Sequence, residues 1–475
     1  MLFNSLIFVG FVCVVFLVYP RLRHRGQNIF LVIASYVFYG YWDWRFVFLL
    51  FTMTILNYFV GQWLWMSARQ NEKKWFLVAS IFANLGVLSF FKYFNFFVTS
   101  AASLLAAFGL HPNLPLLQII LPVGISFYTF QSMTYIIDIY HNKLQPTKNF
   151  IDFALFVSFF PQLLAGPIER AINLLPQIAK PRQITNAQVL AGVNLILLGY
   201  FKKVAIADTL APVADKIFAS PALMTSGQLW TGVYAFTIQI YCDFSGYTDI
   251  ARGVALILGL KIMENFEAPY LSRNITEFWR RWHISLSSWL RDYLYIPLGG
   301  NRGGKIHTYS NLLITFLLCG LWHGAAWTFV LWGLSHGLYL ICHRVINRGE
   351  KIDFAWPSNL LGKIIILVKI LVTFHIVALT WVLFKSPNLS IALSYFEGLF
   401  RSPFLAGFSN SVIFAILLVL GLDLVQILFK SQSWLTDMRE YRLFRFIVTQ
   451  LLLISILAAS IAHTGTITPF IYFQF

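Results

Sequence analysis

The motif Trp322-His323-Gly324 lies within an apolar stretch, residues 310–341, that has no acidic or basic side chain except two histidines. The stretch is long enough to cross a membrane, which takes about 20 apolar residues. Ionisable side chains are costly in a bilayer and, where they occur, usually mark functional sites. His323 is therefore the first candidate for chemistry, and the sequence around it is expected to lie in a membrane.

Composition supports the membrane assignment, because 58% of the residues are hydrophobic and only 11% are charged. Several uncharged runs are too short to span, so about 11 full spans plus re-entrant segments are expected in an all-α protein. Residues 1–475 are expected to form one polytopic membrane domain. Arginines follow the first run, which predicts an amino terminus outside the cytoplasm. Basic loops that contact membrane lipids explain the net charge of +16 without nucleic acid.

No metal site is expected. The cysteines stand singly in apolar sequence, without disulfide or zinc spacing: Cys13, Cys242, Cys319 and Cys342. On one straight helix His323 and His336 would lie roughly 20 Å apart, too far to share a metal. Cys319 has ligand spacing to His323, but no further ligands stand near it in the sequence. Acid–base chemistry suits His323 better, since imidazole titrates near neutrality; a structural histidine is the alternative.

Residues 261–307 form the most highly charged segment of the chain. Apolar residues recur within it at the spacing of one helix face: Ile275, Phe278, Trp279, Trp282, Leu286, Trp289, Leu290 and Tyr293. Arg280, His283 and Ser287 share another face, which predicts an amphipathic helix. Such a helix either lies at the membrane interface or lines a cavity, where Arg280 and Arg281 could bind the phosphates of a nucleotide-like acyl donor.

A glycine-rich run, residues 299–304, follows this segment and contains Arg302. Backbone amides in such a run can approach a phosphate. A plain turn explains the run better than a phosphate site does, so the run is weak evidence alone.

Several motifs together resemble the membrane-bound O-acyltransferase family, in its bacterial branch that acetylates alginate and peptidoglycan. The likeness runs from the first span to about residue 342 and resumes at the carboxyl terminus. The motifs are Leu121-Pro-Val-Gly-Ile-Ser-Phe-Tyr128, Phe159-Phe-Pro-Gln-Leu-Leu-Ala-Gly-Pro167, Tyr241-Cys-Asp-Phe-Ser-Gly-Tyr-Thr-Asp249, Phe278-Trp-Arg-Arg-Trp-His283, Leu321-Trp-His-Gly-Ala-Ala-Trp327 and Trp332-Gly-Leu-Ser-His-Gly337.

The resemblance implies a ring of transmembrane and re-entrant helices around a central tunnel. It places His323 at the narrowest point and gives His283 a supporting role. An acetyl group would enter from a cytoplasmic donor, acetyl-CoA or an acyl carrier protein, and leave on a hydroxyl at the far side. No bound cofactor is expected. Arg280, Arg281 and Arg302 are the candidate donor-binding residues.

The carboxyl-terminal residues 469–475 resemble a terminal aromatic motif of the same branch. In the related teichoic-acid D-alanylation system, the tyrosine of this motif is proposed to carry the acyl group covalently. By that resemblance Tyr472 is a third candidate catalytic residue. A phenolate leaves more readily than an alkoxide, which makes a two-step relay reasonable. An interfacial aromatic anchor is the alternative.

Five further residues are expected to support the tunnel, because polar groups in membrane sequence need partners: Trp322, Asp243, Asp249, Ser245 and His336. A bacterial inner-membrane location is expected. The partner would be a periplasmic SGNH-type O-acetyltransferase or a polymer-synthesis complex. A transporter of acyl groups or glycans, or a scaffold subunit without transferase chemistry, is the rival hypothesis. The motifs do not identify the polysaccharide.

Overall fold

A computed structural model of the chain describes residues 1–112, 114–347, 358–429, 434–437, 442–462 and 469–471. Within these residues the regular structure is helical, apart from one isolated antiparallel bridge between Phe266 and Trp282. This confirms the predicted all-α class. Internal contacts divide the chain into two compact units: Met1–Val193 with Ile250–Met263, and Asn194–Asp249 with Glu264–Phe475.

Buried polar residues form hydrogen bonds between helices within the first unit. Its helices are α1 (Leu6–Val18), α2 (His24–Gly40), α3 (Arg45–Met66), α4 (Gln70–Ala107), α5 (Ile125–Tyr140), α6 (Phe150–Ser158), α7 (Phe160–Leu163) and α8 (Ala171–Ala179). Asn57 of α3 donates a hydrogen bond to Asn84 of α4 over 3.2 Å and accepts one from Ser80 over 3.0 Å. All three are buried. Such interhelical hydrogen bonds replace the hydrophobic driving force that helices lack in lipid.

One long helical segment passes from the first unit into the second. It begins as α9 (Asn186–Tyr200), widens into a π-helical turn over Phe201–Ala207, and continues as α10 (Asp208–Ala219). π-helical turns inside α-helices are rare, and those that occur are often at functional sites. The next helix is α11 (Ser226–Ile257), whose residues up to Asp249 belong to the second unit and whose last residues belong to the first.

The second unit contains the candidate site. Its remaining helices are α12 (Ile275–Arg281), α13 (Ile284–Leu290), α14 (Gly304–His323), α15 (Trp327–Ile346), α16 (Leu360–Lys385), α17 (Leu389–Gly398), α18 (Asn410–Phe429), α19 (Trp434–Asp437) and α20 (Arg442–Ala462). A second π-helical turn, Arg291–Tyr295, follows α13.

The chain is a multi-pass membrane protein. Seven helical segments among the described residues are long and apolar enough to cross a membrane. They are Arg45–Met66, Gln70–Ala107, Asn186–Ala219, Trp327–Ile346, Leu360–Lys385, Asn410–Phe429 and Leu443–Ala462. The expectation of about 11 spans with re-entrant segments stays a prediction, as does the orientation of the amino terminus.

Candidate active site

His323 is the last residue of α14, and its side chain is only 3% exposed. Gly324 then takes an extended backbone, with φ −158° and ψ 151°, which ends the helix. A side chain on residue 324 would collide with the ring of Phe329. The glycine of the Trp-His-Gly motif therefore lets this aromatic ring pack against the backbone of residue 324.

The stretch 310–341 forms two helices, so the expectation of roughly 20 Å between His323 and His336 is wrong. That expectation assumed one straight helix, whereas the chain turns back between α14 and α15. The ring of Trp332 lies between the two histidines, with centroid distances of 5.0 Å to His323 and 4.8 Å to His336.

Glycines let α14 and α15 approach closely. A methyl group on Gly320 would collide with the carbonyl oxygen of Phe329, and one on Gly333 would collide with that of Phe316. Small residues at helix contacts are typical of membrane proteins, because they let backbones approach. This contact holds His323 at the end of a rigid helix pair.

The prediction of one amphipathic helix through residues 275–293 is wrong in one respect. The structure has two helices there, separated at His283. α12 ends at Arg281, α13 begins at Ile284, and His283 has a positive φ of 44°. A left-handed backbone is strained for residues other than glycine, and the surrounding structure must hold it. The Ile284 N–H donates to the carbonyl oxygen of Asn265 over 2.9 Å, which helps to fix the break.

Asn265 also sets the protonation pattern of His283. Its Oδ1 accepts hydrogen bonds from the Ser285 backbone N–H over 3.2 Å and hydroxyl over 2.6 Å, and lies 3.4 Å from His283 Nδ1. A backbone N–H can only donate, so this Asn265 atom is the carbonyl oxygen, and Nδ1 must carry the imidazole proton. Nε2 then keeps its lone pair. His283 is fully buried, and burial lowers its pKa to about 3, so the ring is neutral at pH 7.

The two predicted catalytic histidines lie side by side. Their ring centroids are 6.4 Å apart, with an interplanar angle of 60°. Trp322 contacts both, at 5.0 Å from His323 and 5.9 Å from His283. The residues are separated in the sequence by forty positions, so the fold creates this pair. Two buried imidazoles at this spacing can act on one hydroxyl group.

An aromatic wall surrounds His323. Phe384 and Trp332 contact its ring at 5.3 and 5.0 Å, and Trp381 stacks on Trp332 at 5.6 Å. Such walls exclude water and strengthen electrostatic interactions inside the site. Within the described residues, the buried indole N–H groups of Trp282, Trp332 and Trp381 find no hydrogen-bond acceptor. Each orphaned donor costs about 1–3 kcal/mol, so the wall is suited to a ligand that brings an acceptor.

His336 is held by hydrogen bonds at both ring nitrogens. The indole N–H of Trp279 donates to Nδ1 over 3.3 Å, and Nε2 lies 3.0 Å from the Thr380 hydroxyl. The Thr380 hydroxyl donates its proton to the Val377 carbonyl oxygen, so Nε2 is the donor towards it. Both nitrogens are thus engaged, and the supporting role of this histidine stays a prediction.

The predicted support residues on α11 have distinct environments. Lys203 Nζ lies 2.7 Å from Asp243 and 2.8 Å from Asp208, while Lys202 Nζ lies 2.8 Å from Asp249. Ser245, on the same helix, is 2% exposed. Buried charges must be paired to be tolerated in membrane-embedded structure.

Neither lysine was among the residues expected at the site. They stand on the π-helical turn, and their signal was a Lys-Lys pair inside a long apolar segment, followed by Asp208. Asp423 of α18 was not expected either; it is buried and accepts a 2.7 Å hydrogen bond from the Tyr241 hydroxyl. Nothing local links position 423 to position 241, so only the folded chain shows this contact.

The candidate donor-binding arginines lie in different surroundings. Arg280 is exposed, Arg281 donates to Glu277 over 2.7 Å, and Arg302 is exposed in the turn after the second π-helical segment. Glu277 also pairs with Arg273 at 3.2 Å. Arg281 is thus engaged in a local ion pair, and the donor-binding role of the three arginines stays a prediction.

Part of the carboxyl-terminal motif is described. Phe470 and Ile471 are buried at 2% and 1% exposure, whereas the predicted acyl carrier Tyr472 lies outside the described residues. The Ile471 N–H donates to Asp243 over 2.7 Å. The start of the motif therefore lies in the core of the second unit.

The sequence of this chain is similar to a known protein family and to several named proteins. The family model of membrane-bound O-acyltransferases matches residues 144–379, which include both histidines. The probable alginate O-acetylase of Pseudomonas aeruginosa is 44% identical over 84% of this chain and 75% of its own length. The peptidoglycan O-acetyltransferase of Helicobacter pylori is 38% identical over 84% and 80%.

A more distant relative shares part of the chain. The teichoic acid D-alanyltransferase of Bacillus subtilis is 30% identical over 58% of this chain and 71% of its own length. These relatives all carry names of acyl-transferring enzymes or acetylases. With its buried histidine pair and its membrane helices, the chain belongs to the membrane-bound O-acyltransferase family.

Proposed function

We propose that this protein transfers an acetyl group from a cytoplasmic donor to a hydroxyl group of a cell-envelope or secreted polysaccharide. The buried pair of His283 and His323 carries the proposal, because it supplies a base inside a membrane protein. The names of the relatives support acetyl as the group and alginate or peptidoglycan as the type of acceptor. The bacterial inner membrane is the proposed location.

His323 acts as the general base in this scheme. The attacking hydroxyl gives its proton to the imidazole as its oxygen bonds to the acetyl carbon. The carbon–sulfur bond of the donor breaks, and the imidazolium returns the proton to the leaving thiolate. His283, held as the Nδ1–H tautomer by Asn265, orients the hydroxyl through its Nε2 lone pair. The indole N–H of Trp332 is available to the carbonyl oxygen, on which negative charge develops.

The donor is acetyl-CoA in this proposal, and an acyl carrier protein is the alternative. Arg280, Arg281 and Arg302 would bind its phosphates, since guanidinium groups pair with phosphate in a fixed geometry. Exposure of Arg280 and Arg302 supports this role, because a soluble donor must reach them.

Tyr472 is the proposed acceptor of the first transfer. Its phenol oxygen would take the acetyl group and release free CoA thiol, and a polysaccharide hydroxyl would then take the acetyl group and restore the phenol. A periplasmic SGNH-type O-acetyltransferase or a polymer-synthesis complex would be the partner that presents the polysaccharide hydroxyl. The buried docking of Phe470 and Ile471 supports a role for this motif near the site.

The test uses purified full-length protein in proteoliposomes that enclose a polysaccharide acceptor, with radiolabelled acetyl-CoA outside. Wild-type protein should place label on the acceptor as an alkali-labile ester, and His323→Ala should not. His111→Ala is the matched control, because this histidine is exposed in the first unit. Label that enters the vesicles without ester formation would favour a transporter instead, and ester formation by His323→Ala would remove the proposal.

A further inference from the structure

Two residues of the carboxyl-terminal segment Pro469–Ile471 are buried in the second unit. Phe470 and Ile471 are 2% and 1% exposed. Ordering these residues costs conformational entropy, so specific contacts must offset it.

A buried ion cluster supplies the polar contact. Lys203 Nζ lies between two carboxylates, 2.8 Å from Asp208 Oδ1 and 2.7 Å from Asp243 Oδ1. The second oxygen of Asp243, Oδ2, accepts the Ile471 N–H over 2.7 Å. Asp243 thus accepts hydrogen bonds from the Lys203 ammonium group at one oxygen and from the Ile471 backbone at the other. Hydrogen bonds to a charged acceptor are stronger than neutral ones.

Aromatic contacts lead from the same segment to the histidine pair. The ring of Phe470 lies 4.7 Å from that of Tyr247 and 5.5 Å from that of Phe244. The ring of Phe244 lies in turn 4.7 Å from that of His283. One side chain of α11 therefore separates the carboxyl-terminal segment from the candidate active site.

We infer that the Asp208–Lys203–Asp243 cluster is a docking site for the carboxyl-terminal segment, with Asp243 as a positioning residue for acetyl transfer. Asp243 fixes the backbone at Ile471, the residue that precedes the proposed acyl carrier Tyr472. The inference rests on the proposed function, because positioning matters only if the terminal motif takes part in transfer. Asp243, the first aspartate of the Tyr241–Asp249 motif, thus has a task that does not involve contact with the donor.

The decisive variant is Ile471→Pro, which removes the N–H donor and leaves the ion cluster intact. Ile471→Val keeps the N–H and a branched side chain, and serves as its reference. Hydrogen exchange measured by mass spectrometry on the carboxyl-terminal peptide reports docking. We expect faster exchange in Ile471→Pro than in Ile471→Val.

Steady-state acetyl transfer in the same preparations reports positioning. We expect kcat of Ile471→Pro to fall roughly 100-fold relative to Ile471→Val, because a displacement of about 1 Å can have that effect. The KM for acetyl-CoA should change less than about twofold, since the donor site is untouched. A general loss of structure would instead change the elution profile in detergent.

A second pair of variants tests the aromatic contact independently. Phe470→Ala removes the ring between Tyr247 and Phe244, and Phe470→Leu keeps most of its apolar volume. We expect the same increase in exchange and the same fall in kcat for Phe470→Ala relative to Phe470→Leu.

Two results would overturn the inference: unchanged exchange in both Ile471→Pro and Phe470→Ala, or faster exchange with unchanged kcat. Failure of the proposed function has a different signature, namely wild-type protein that makes no ester from acetyl-CoA. In that case the exchange measurement still decides whether the cluster docks the segment.

Discussion

The imidazole rings of His283 and His323 lie 6.4 Å apart, and both residues are buried in the second unit. Each stands where a helix is interrupted, His283 between α12 and α13 and His323 at the end of α14. Residues at such breaks can face each other, whereas side chains within continuous helices are spaced by the helical repeat. The breaks are therefore part of the site.

Removal of His323 should abolish the chemistry and spare the fold. We expect His323→Ala to lower the acetyl-transfer rate by about 10²–10⁴-fold, the usual contribution of a general base. His323→Gln, which keeps polarity but cannot act as a base near neutral pH, should be equally inactive. Transfer assays and elution profiles of the two variants check this. Substantial activity in the glutamine variant would show that His323 only shapes the site.

Burial of neutral His283 should make the protein less stable in acid. Its folded pKa of about 3 lies below the unfolded value of 6.5. As the pH falls below 6.5, the unfolded chain binds a proton that the folded chain does not, so unfolding becomes more favourable down to about pH 3. Thermal unfolding midpoints in detergent should fall less between pH 7 and pH 4 for His283→Asn than for wild type. Parallel curves for the two proteins would contradict this.

The Lys203 ion pairs should be essential for folding stability. Lys203→Met leaves Asp208 and Asp243 buried without their ammonium partner, and loss of one member of a buried ion pair costs about 3–5 kcal/mol. Lys216→Met, on the exposed surface of α10, is the matched control and should have little effect. Adding Asp208→Asn and Asp243→Asn to Lys203→Met should restore part of the lost stability. Denaturant or thermal unfolding measures each change.

The glycines between α14 and α15 should resist even a methyl group. Gly333→Ala places a carbon against the Phe316 carbonyl oxygen and should cost about 1–3 kcal/mol, since overpacking forces the backbone to shift. Gly86→Ala on α4 has open space around it and should be neutral or slightly stabilising. Thermal midpoints of the two variants test this, and a stable Gly333→Ala would show that the helix pair can separate without cost.

The helix break at His283 shows which feature of the site local sequence patterns do not predict. Helical periodicity correctly predicted that the apolar residues around Trp282 are buried. The apolar face of a helix is set by residues three and four positions apart, so it can be read from the local sequence. Periodicity could not show the break at His283, which depends on hydrogen bonds that Asn265, eighteen residues earlier, accepts. A left-handed residue that tertiary contacts hold in place has no sequence signal of its own.

Hydropathy and motifs alone determined that this chain is an all-α membrane protein of the acyltransferase family, and selected His323 and His283, because those properties are carried by neighbouring residues. Tertiary structure alone decided that the two imidazoles face each other, that Lys203 joins Asp208 to Asp243, and that this cluster holds Ile471. These contacts join residues far apart in the chain, and the energy of pairing a buried charge depends on where the whole fold places its partner.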